Sequence, residues 1–259
     1  MILKTMQFYF LALAWGSLGI LPLASLRQVG QAFYRFFGFL CVGMEMIAWI
    51  FQFERFHQFN SWMSESIIGF LIFTLVYTLL LKIHRRVWFW SAWALAMLTG
   101  GIILWIPWSA CNQAWIFEVN GVSSAFLMGS GLLAMMLGHF YLVIPKLSID
   151  PLKRYAACYI GFMIIKLGTL VLGGVGWNLL HSSILPQVMQ REWMQEQFFL
   201  IFRILWGVLL PLALAYWIWG TVKIRSTQSA TGILYAALVA TLIGEALGWY
   251  LTFHLQIPV

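Results

Sequence analysis

Five ionisable side chains lie inside long apolar runs of this chain, where water is scarce. They are Glu45, His139, Lys166, Arg203 and Glu245. A charged side chain at the centre of a membrane span costs about 2.5 to 3.5 kcal/mol on insertion scales, so such groups usually pair or face a polar cavity. The carboxylates and the histidine are candidates for proton exchange, and the two cations are candidates to attract an anion.

Depth along the predicted spans suggests how four of these groups pair. At ~1.5 Å per residue, Arg203 lies ~9 Å and Glu245 ~13 Å below the outer surface. On the same scale Glu45 lies at ~12 Å and Lys166 at ~18 Å. We therefore predict that Arg203 pairs with Glu245 and Lys166 with Glu45, in one catalytic cluster in the outer half. The alternative is that the pairs only fix the register of the helices.

His139 lies in the other half of the membrane, within the stretch Gly138-His139-Phe140-Tyr141. It is ~10 Å from the cytoplasmic end of its span, and no carboxylate shares that depth. Three roles compete for it: a hydrogen bond to a quinone carbonyl, ligation of haem iron, or a bond to a backbone carbonyl in a packed core. Tyr141 is the second cofactor-binding candidate here.

His181 and His254 are the remaining cofactor-binding candidates. Both lie at the outer ends of their spans, and as a bis-histidine pair they could hold a b-type haem near the outer surface. The three cysteines, Cys41, Cys111 and Cys158, are far apart and have no C-x-x-C spacing. The chain is therefore predicted to carry no iron–sulfur or structural zinc site of its own.

The composition indicates the class of protein that must position these residues. Of the 259 residues, 62% are hydrophobic and only 9% are charged, with a formal net charge of +7. So few charges could not cover a soluble domain, and the basic residues lie in short loops instead of on a nucleic-acid-binding face. We predict an all-α integral membrane protein with one transmembrane domain, residues 1–259. Its eight spans are predicted at roughly 7–26, 34–53, 65–82, 88–108, 121–145, 154–178, 197–222 and 229–254.

Basic residues predict the orientation of the spans. The loops after spans 1, 3, 5 and 7 hold ten Lys and Arg, whereas the N-terminus and the even-numbered loops hold three. Positive charge collects on the cytoplasmic side, so both termini are predicted to be outside, on the periplasmic side of a bacterial inner membrane.

Small residues predict how two of the spans pack. Span 8 has one at every fourth position, a row that permits close helix contact. A looser stripe in span 5 is predicted to face the bundle interior, while tryptophans near span ends, Trp108 and Trp249 included, are predicted to be interfacial anchors. The row in span 8 is Gly232, Ala236, Ala240, Gly244 and Gly248; the stripe in span 5 is Gly121, Ser124, Met128, Gly131, Met135 and Gly138.

The run from Leu242 to Leu251, Leu-Ile-Gly-Glu-Ala-Leu-Gly-Trp-Tyr-Leu, resembles the last helix of membrane anchor subunits of the dimethyl sulfoxide reductase type. More broadly, the chain is similar to polysulfide reductase and NrfD-like quinol subunits in length, span count and predicted orientation. The resemblance implies a subunit that exchanges electrons between quinol and an iron–sulfur partner. It carries over only to Glu245, because Trp249 stands where the anchor pattern usually has an arginine.

These observations favour a non-autonomous membrane subunit of a respiratory or other oxidoreductase complex. It would bind quinone or quinol and relay electrons and protons to iron–sulfur or cytochrome subunits in the membrane. The alternatives are a b-type haem-binding subunit, a proton-coupled transporter of a small anion, and a purely structural assembly subunit. Because no nucleophile motif or phosphate-binding glycine loop occurs, free-standing catalysis is not expected.

Overall fold

A computed structural model of the chain describes residues 1–53, 61–81, 86–109, 114–144, 147–180, 193–255 and 258. The helices are α1 Ile2–Ile20, α2 Leu26–Phe53, α3 Ser61–Leu80, α4 Arg86–Trp105, α5 Ala114–Val143, α6 Asp150–Leu180, α7 Trp193–Ile204, α8 Leu210–Lys223 and α9 Thr227–Leu255. Short 3₁₀ turns follow α1 and α4, and a π-helical turn, Leu205–Leu209, joins α7 to α8. No strand occurs within these ranges.

Eight helical stretches in the described ranges are long and apolar enough to cross a membrane, which confirms the predicted number of spans. Helix is the expected form, because a backbone in hydrocarbon must satisfy its own hydrogen bonds. The pair α7 and α8 counts as one span, since the π-helical turn continues the helical path between them. The protein is thus a multi-pass membrane protein. We call the membrane face at which α1 begins and α9 ends the termini face.

Helix α1 lies at the centre of the bundle. It packs against α2, α4, α5 and α9, and most of its residues are buried. Its backbone touches that of α5 at two glycines: a Cβ on Gly16 would lie 1.8 Å from the carbonyl oxygen of Ala125, and one on Gly129 would lie 2.3 Å from the carbonyl carbon of Gly16. Glycine is therefore required at this crossing.

Two groups of helices meet at α1. Helix α2 packs against α1 and α3, and α3 packs against α4. On the other side of α1, helices α5, α6, α8 and α9 pack on one another. Near its start α2 bends at Gly30, whose φ of 82° lies in the region that favours glycine. The predicted ionisable residues are thereby divided between two helix groups.

Candidate functional site

A buried ion cluster lies between α5, α6, α7 and α9. The guanidinium of Arg203 donates from Nη2 to Glu245 Oε1 at 2.7 Å, and Lys166 Nζ lies 3.6 Å from Glu245 Oε2. Lys166, Arg203 and Glu245 are all fully buried. The predicted pairing of Arg203 with Glu245 is confirmed.

Two polar side chains of α5 complete the surroundings of the lysine. Lys166 Nζ donates to Asn120 Oδ1 at 2.5 Å and to Ser124 Oγ at 2.8 Å. These residues are four apart on one helix, so they share a face. With the Glu245 contact, the ammonium group has three partners in a space without bulk water.

Close packing of two helices positions the arginine. A Cβ on Gly244 of α9 would lie 2.1 Å from Gly207 Cα in the π-helical turn, and one on Gly207 would lie 2.5 Å from Arg203 Nη1. The two backbones therefore touch beside the ion pair, and Arg203 is the second-last residue of α7 before the π-helical turn. Such π turns occur often at functional sites.

The packing predicted for the small-residue row of α9 is confirmed for three of its five members. Ala240, Gly244 and Gly248 are buried, whereas Gly232 and Ala236 are exposed. The α5 stripe fares better, since all of its members are buried except Met135, which is half-buried. A repeat of small residues permits close contact but does not say how far along the helix a neighbour extends.

The cluster carries two cations and one carboxylate, which leaves a formal charge of +1. The ion pairs of the cluster are those that Glu245 makes with Lys166 and Arg203. Arg203 Nε and Nη1 are buried without a hydrogen-bond partner in the described part of the chain. The site therefore has spare donors and positive charge to offer to an anion or to a carbonyl oxygen.

A water-sized cavity of about 10 Å³ lies at the termini side of the cluster. Asn120, Ser124 and Trp249 line it, and Trp249 Nε1 is a buried donor with no partner among the described residues. A cavity of this size holds about one water molecule, provided that polar groups surround it. The lining supplies such groups.

Aromatic rings form the wall between this cavity and the termini face. Trp108 stacks on Phe117 with ring centroids 4.5 Å apart and on Phe253 at 5.2 Å, and Phe8 stacks on Trp249 at 6.2 Å. Trp108 and Trp249 are buried, at 2% and 4% exposure. Their predicted role as interfacial anchors is therefore wrong, because each packs inside the bundle.

The predicted pair of Lys166 with Glu45 is also wrong. Glu45 lies on α2, where its Oε1 accepts a hydrogen bond from Thr74 Oγ1 of α3 at 2.9 Å. Helix α1 separates α2 from the helices of the ion cluster. Glu45 is therefore not part of this cluster. Depth along a span does not indicate which helices are neighbours in the plane of the membrane.

His139 and Tyr141 lie apart from the cluster and from each other. The side chain of His139 is on the exposed face of α5, while Gly138 beside it is buried. Tyr141 is buried and donates its hydroxyl to the backbone oxygen of Ser148, which ties the end of α5 to the following loop. The two residues are not brought together as one cofactor pocket.

The predicted haem pair cannot be assembled from the described residues. His254 lies near the end of α9, with Nδ1 3.4 Å from Met1 Sδ and its ring stacked on Tyr250 at 5.6 Å. His181 lies outside the described residues. Haem binding by this pair therefore stays a prediction, and no group of three metal-binding side chains occurs in the described ranges.

Sequence reasoning missed several polar partners of the cluster. Asn120 was not singled out, and Ser124 was placed in a packing stripe. Nearer the opposite face, the Tyr159 hydroxyl and Thr241 Oγ1 are 2.7 Å apart, with Thr241 one turn from Glu245. Asn120 and Ser124 could have been identified from the sequence, because Asn-x-x-x-Ser inside a span puts two polar groups on one helix face.

Comparison of the chain with protein-family models, with curated proteins and with solved structures finds no match. The resemblance to quinol subunits therefore stays a prediction that rests on the sequence motif around Glu245.

Proposed function

We propose that this chain is a membrane subunit of an electron-transfer complex that binds quinone or quinol and passes protons and electrons to partner subunits. One observation carries the proposal: a carboxylate held between a lysine and an arginine inside the membrane, beside a wall of aromatic rings. Quinones are lipid-soluble, so the groups that exchange protons with them must also lie within the bilayer.

The chemistry of quinol oxidation matches the cluster. A quinol hydroxyl must lose its proton to a base, and Glu245 is the carboxylate of this site. The anion that remains would be stabilised by Lys166 and Arg203, whose combined charge exceeds that of Glu245 by one. A water molecule in the cavity lined by Asn120, Ser124 and Trp249 would then accept the proton from the carboxylic acid.

The cavity beside the cluster is too small to hold a quinone ring in this closed arrangement. A cavity of about 10 Å³ holds a water molecule and not a quinone ring. The aromatic wall is the place where a flat ring would stack, and Trp249 or Trp108 would have to move to admit it. Ring binding would therefore couple to a side-chain movement beside the Glu245 carboxylate.

Electrons would leave to a cofactor on another subunit, of the iron–sulfur or cytochrome class. A b-type haem on this chain, held by His181 and His254, is the alternative for the same step. In both cases the protein would work in a bacterial inner membrane as one part of an oxidoreductase complex.

The test is to isolate the chain with its partners in a mild detergent, extract any bound quinone, and assay quinol-dependent reduction of an artificial acceptor. Glu245→Gln is expected to lower the turnover at least tenfold, because the base is lost. Glu65→Gln makes the same change at an exposed carboxylate of α3 and should leave turnover unchanged. A quinone-free chain without partners, or full activity in Glu245→Gln, would contradict the proposal.

The surplus positive charge favours one other function, the proton-coupled transport of a small anion. In that case the purified chain alone, in liposomes, would take up an anion when a pH gradient is imposed. Replacing Lys166 with Met should abolish that uptake, since the surplus charge is lost. Quinol oxidation by an isolated complex predicts no such uptake, so the two functions are separated by this assay.

A further inference from the structure

Eight buried side-chain atoms have no hydrogen-bond partner among the described residues, and they fall into two groups. Four belong to the ion cluster: Arg203 Nε and Nη1, Glu245 Oε2 and Trp249 Nε1. The other four lie in α1, α2 and α3: Gln7 Oε1, Glu45 Oε2, Ser64 Oγ and Tyr77 Oη. Each such atom costs about 1 to 3 kcal/mol, so the four atoms distributed along these three helices call for an explanation.

Glu45 is the ionisable member of the second group. It lies eight residues before the end of α2, ~12 Å into the bundle, and it is fully buried. Among the described residues, its only hydrogen bond is the one that Oε1 accepts from Thr74 Oγ1, at 2.9 Å. A single neutral donor does not compensate the several kcal/mol that an ionised carboxylate loses on leaving water.

Within the part of the chain that the structure describes, no cation pairs with Glu45 from the helices packed around it. Lys4 is the one charged residue of α1, and its Nζ lies 4.5 Å from the Phe253 ring centre. The one charged residue of α3, Glu65, is exposed. The titratable groups closest along the helices are Cys41, one turn away on α2, and Tyr77, near Thr74 on α3. Both are neutral at neutral pH unless perturbed.

Polar groups continue from Glu45 in both directions along the α1, α2 and α3 interface. Toward the termini face, Gln7 Nε2 donates to Gln52 Oε1 at 2.8 Å, near the end of α2. Toward the opposite face, Tyr77 stacks on Phe89 with ring centroids 4.7 Å apart. Phe89 and Tyr34 line an open cleft of about 610 Å³ at that end of the bundle. Tyr34 therefore borders the cleft, and Tyr77 is buried behind Phe89.

We propose that Glu45 is a proton-binding site, midway along a polar track between α1, α2 and α3 that is separate from the ion cluster. A proton from water adds to the unpartnered Oε2 and converts the carboxylate to a carboxylic acid. Water molecules bound to Gln7, Ser64 and Tyr77 complete the route on either side of Glu45. The site does not depend on quinone binding, so it stands or fails independently of the function proposed above.

Infrared difference spectroscopy of the full chain in lipid nanodiscs tests this site directly. At neutral pH we expect the C=O band of a protonated carboxyl, which Glu45→Gln removes and Glu65→Gln keeps. Thr74→Val retains the acid but loses its hydrogen-bond donor, so the same band should shift in frequency. In D₂O the band should move to lower frequency within minutes, because water exchanges the proton along the track.

Two results would overturn the proposal. Absence of the band in the wild type would mean that Glu45 is ionised and bound to a cation. A band that does not respond to D₂O over hours would mean a sealed, purely structural acid. Thr74→Val keeps the test decisive if Glu45→Gln fails to fold, since its frequency shift assigns the band to Glu45. Tyr77→Phe should slow the D₂O response without removing the band.

Discussion

The two cations around Glu245 differ in how closely they contact its carboxylate. Arg203 donates a hydrogen bond to the carboxylate at 2.7 Å. Lys166 lies 3.6 Å from the carboxylate and donates its hydrogen bonds to Asn120 and Ser124. Removing the lysine leaves one balanced pair. Removing the carboxylate leaves two buried cations, which is the costlier state.

We therefore predict that Glu245→Gln is more destabilising than Lys166→Met. Glu245→Gln should lower the free energy of unfolding by about 3 to 5 kcal/mol, the usual cost of breaking a buried ion pair. Lys166→Met changes the cluster from +1 to neutral and should cost clearly less. Detergent-titrated unfolding of both variants measures the difference, with Glu65→Gln as the exposed control. A lysine variant less stable than the glutamine variant would show that Lys166, not Arg203, balances the carboxylate.

The same residues show how far the site could be predicted from the sequence. Depth along each span brought Arg203 and Glu245 together correctly, because the rise per residue of a helix is fixed. It placed Glu45 wrongly, because depth leaves open which helices are neighbours and α1 lies between. Asn120 and Ser124 became visible as ligands of the ammonium group only once α5 and α6 were packed together.

At the scale of helices, the contact of Gly244 with Gly207 sets the position of the ion pair. Both glycines touch through their Cα atoms, and Arg203 Nη1 would lie 3.1 Å from a Cβ on Gly244. Sequence spacing identified the row of small residues on α9 but not which members touch a neighbour. Only packing shows that Gly244 meets a backbone and that Gly232 meets nothing within 4 Å.

Gly244→Ala is expected to push α9 away from the π-helical turn and to weaken the Arg203 bond to Glu245. Overpacking of this kind costs about 1 to 3 kcal/mol, and here it should also reduce any activity that depends on Glu245. Gly232→Ala on the same helix is the matched control and should leave both stability and activity unchanged. Thermal unfolding in detergent measures the effect. Equal stability and activity of the two variants would show that α9 can move away from the π-helical turn without loss of stability or activity.

At the scale of the whole molecule, the number of spans was predictable and their arrangement was not. Apolar length alone decides whether a helix can cross a membrane, and the eight predicted spans match the eight found in the described ranges. Which helix is central depends on side-chain fit across the bundle. Close contacts such as Gly16 with Ala125 put α1 at the centre, and no pattern within α1 alone shows that partner.

Orientation follows from charge and is open to direct test. Most of the basic residues lie in the α3–α4, α5–α6 and α8–α9 connections or in the helix ends beside these and the α1–α2 connection, which predicts that this side is cytoplasmic and that the termini face is outside. In a bacterial host, alkaline phosphatase fused after Val259 should be active, because the enzyme folds only outside the cytoplasm. Fusion after Ser226, in the α8–α9 connection, should be inactive, and a green fluorescent protein at the same two points should show the opposite pattern.

This orientation also decides which side of the membrane would receive the quinol protons. With the termini face outside, the ion cluster lies in the outer half and would release quinol protons to the outside, while the cleft beside Tyr34 opens to the cytoplasm. If the fusions show the reverse, the Glu245 site would instead release these protons to the cytoplasm. Reversal would also require the ten basic residues in and beside these connections to lie outside, against the charge bias that orients most membrane proteins.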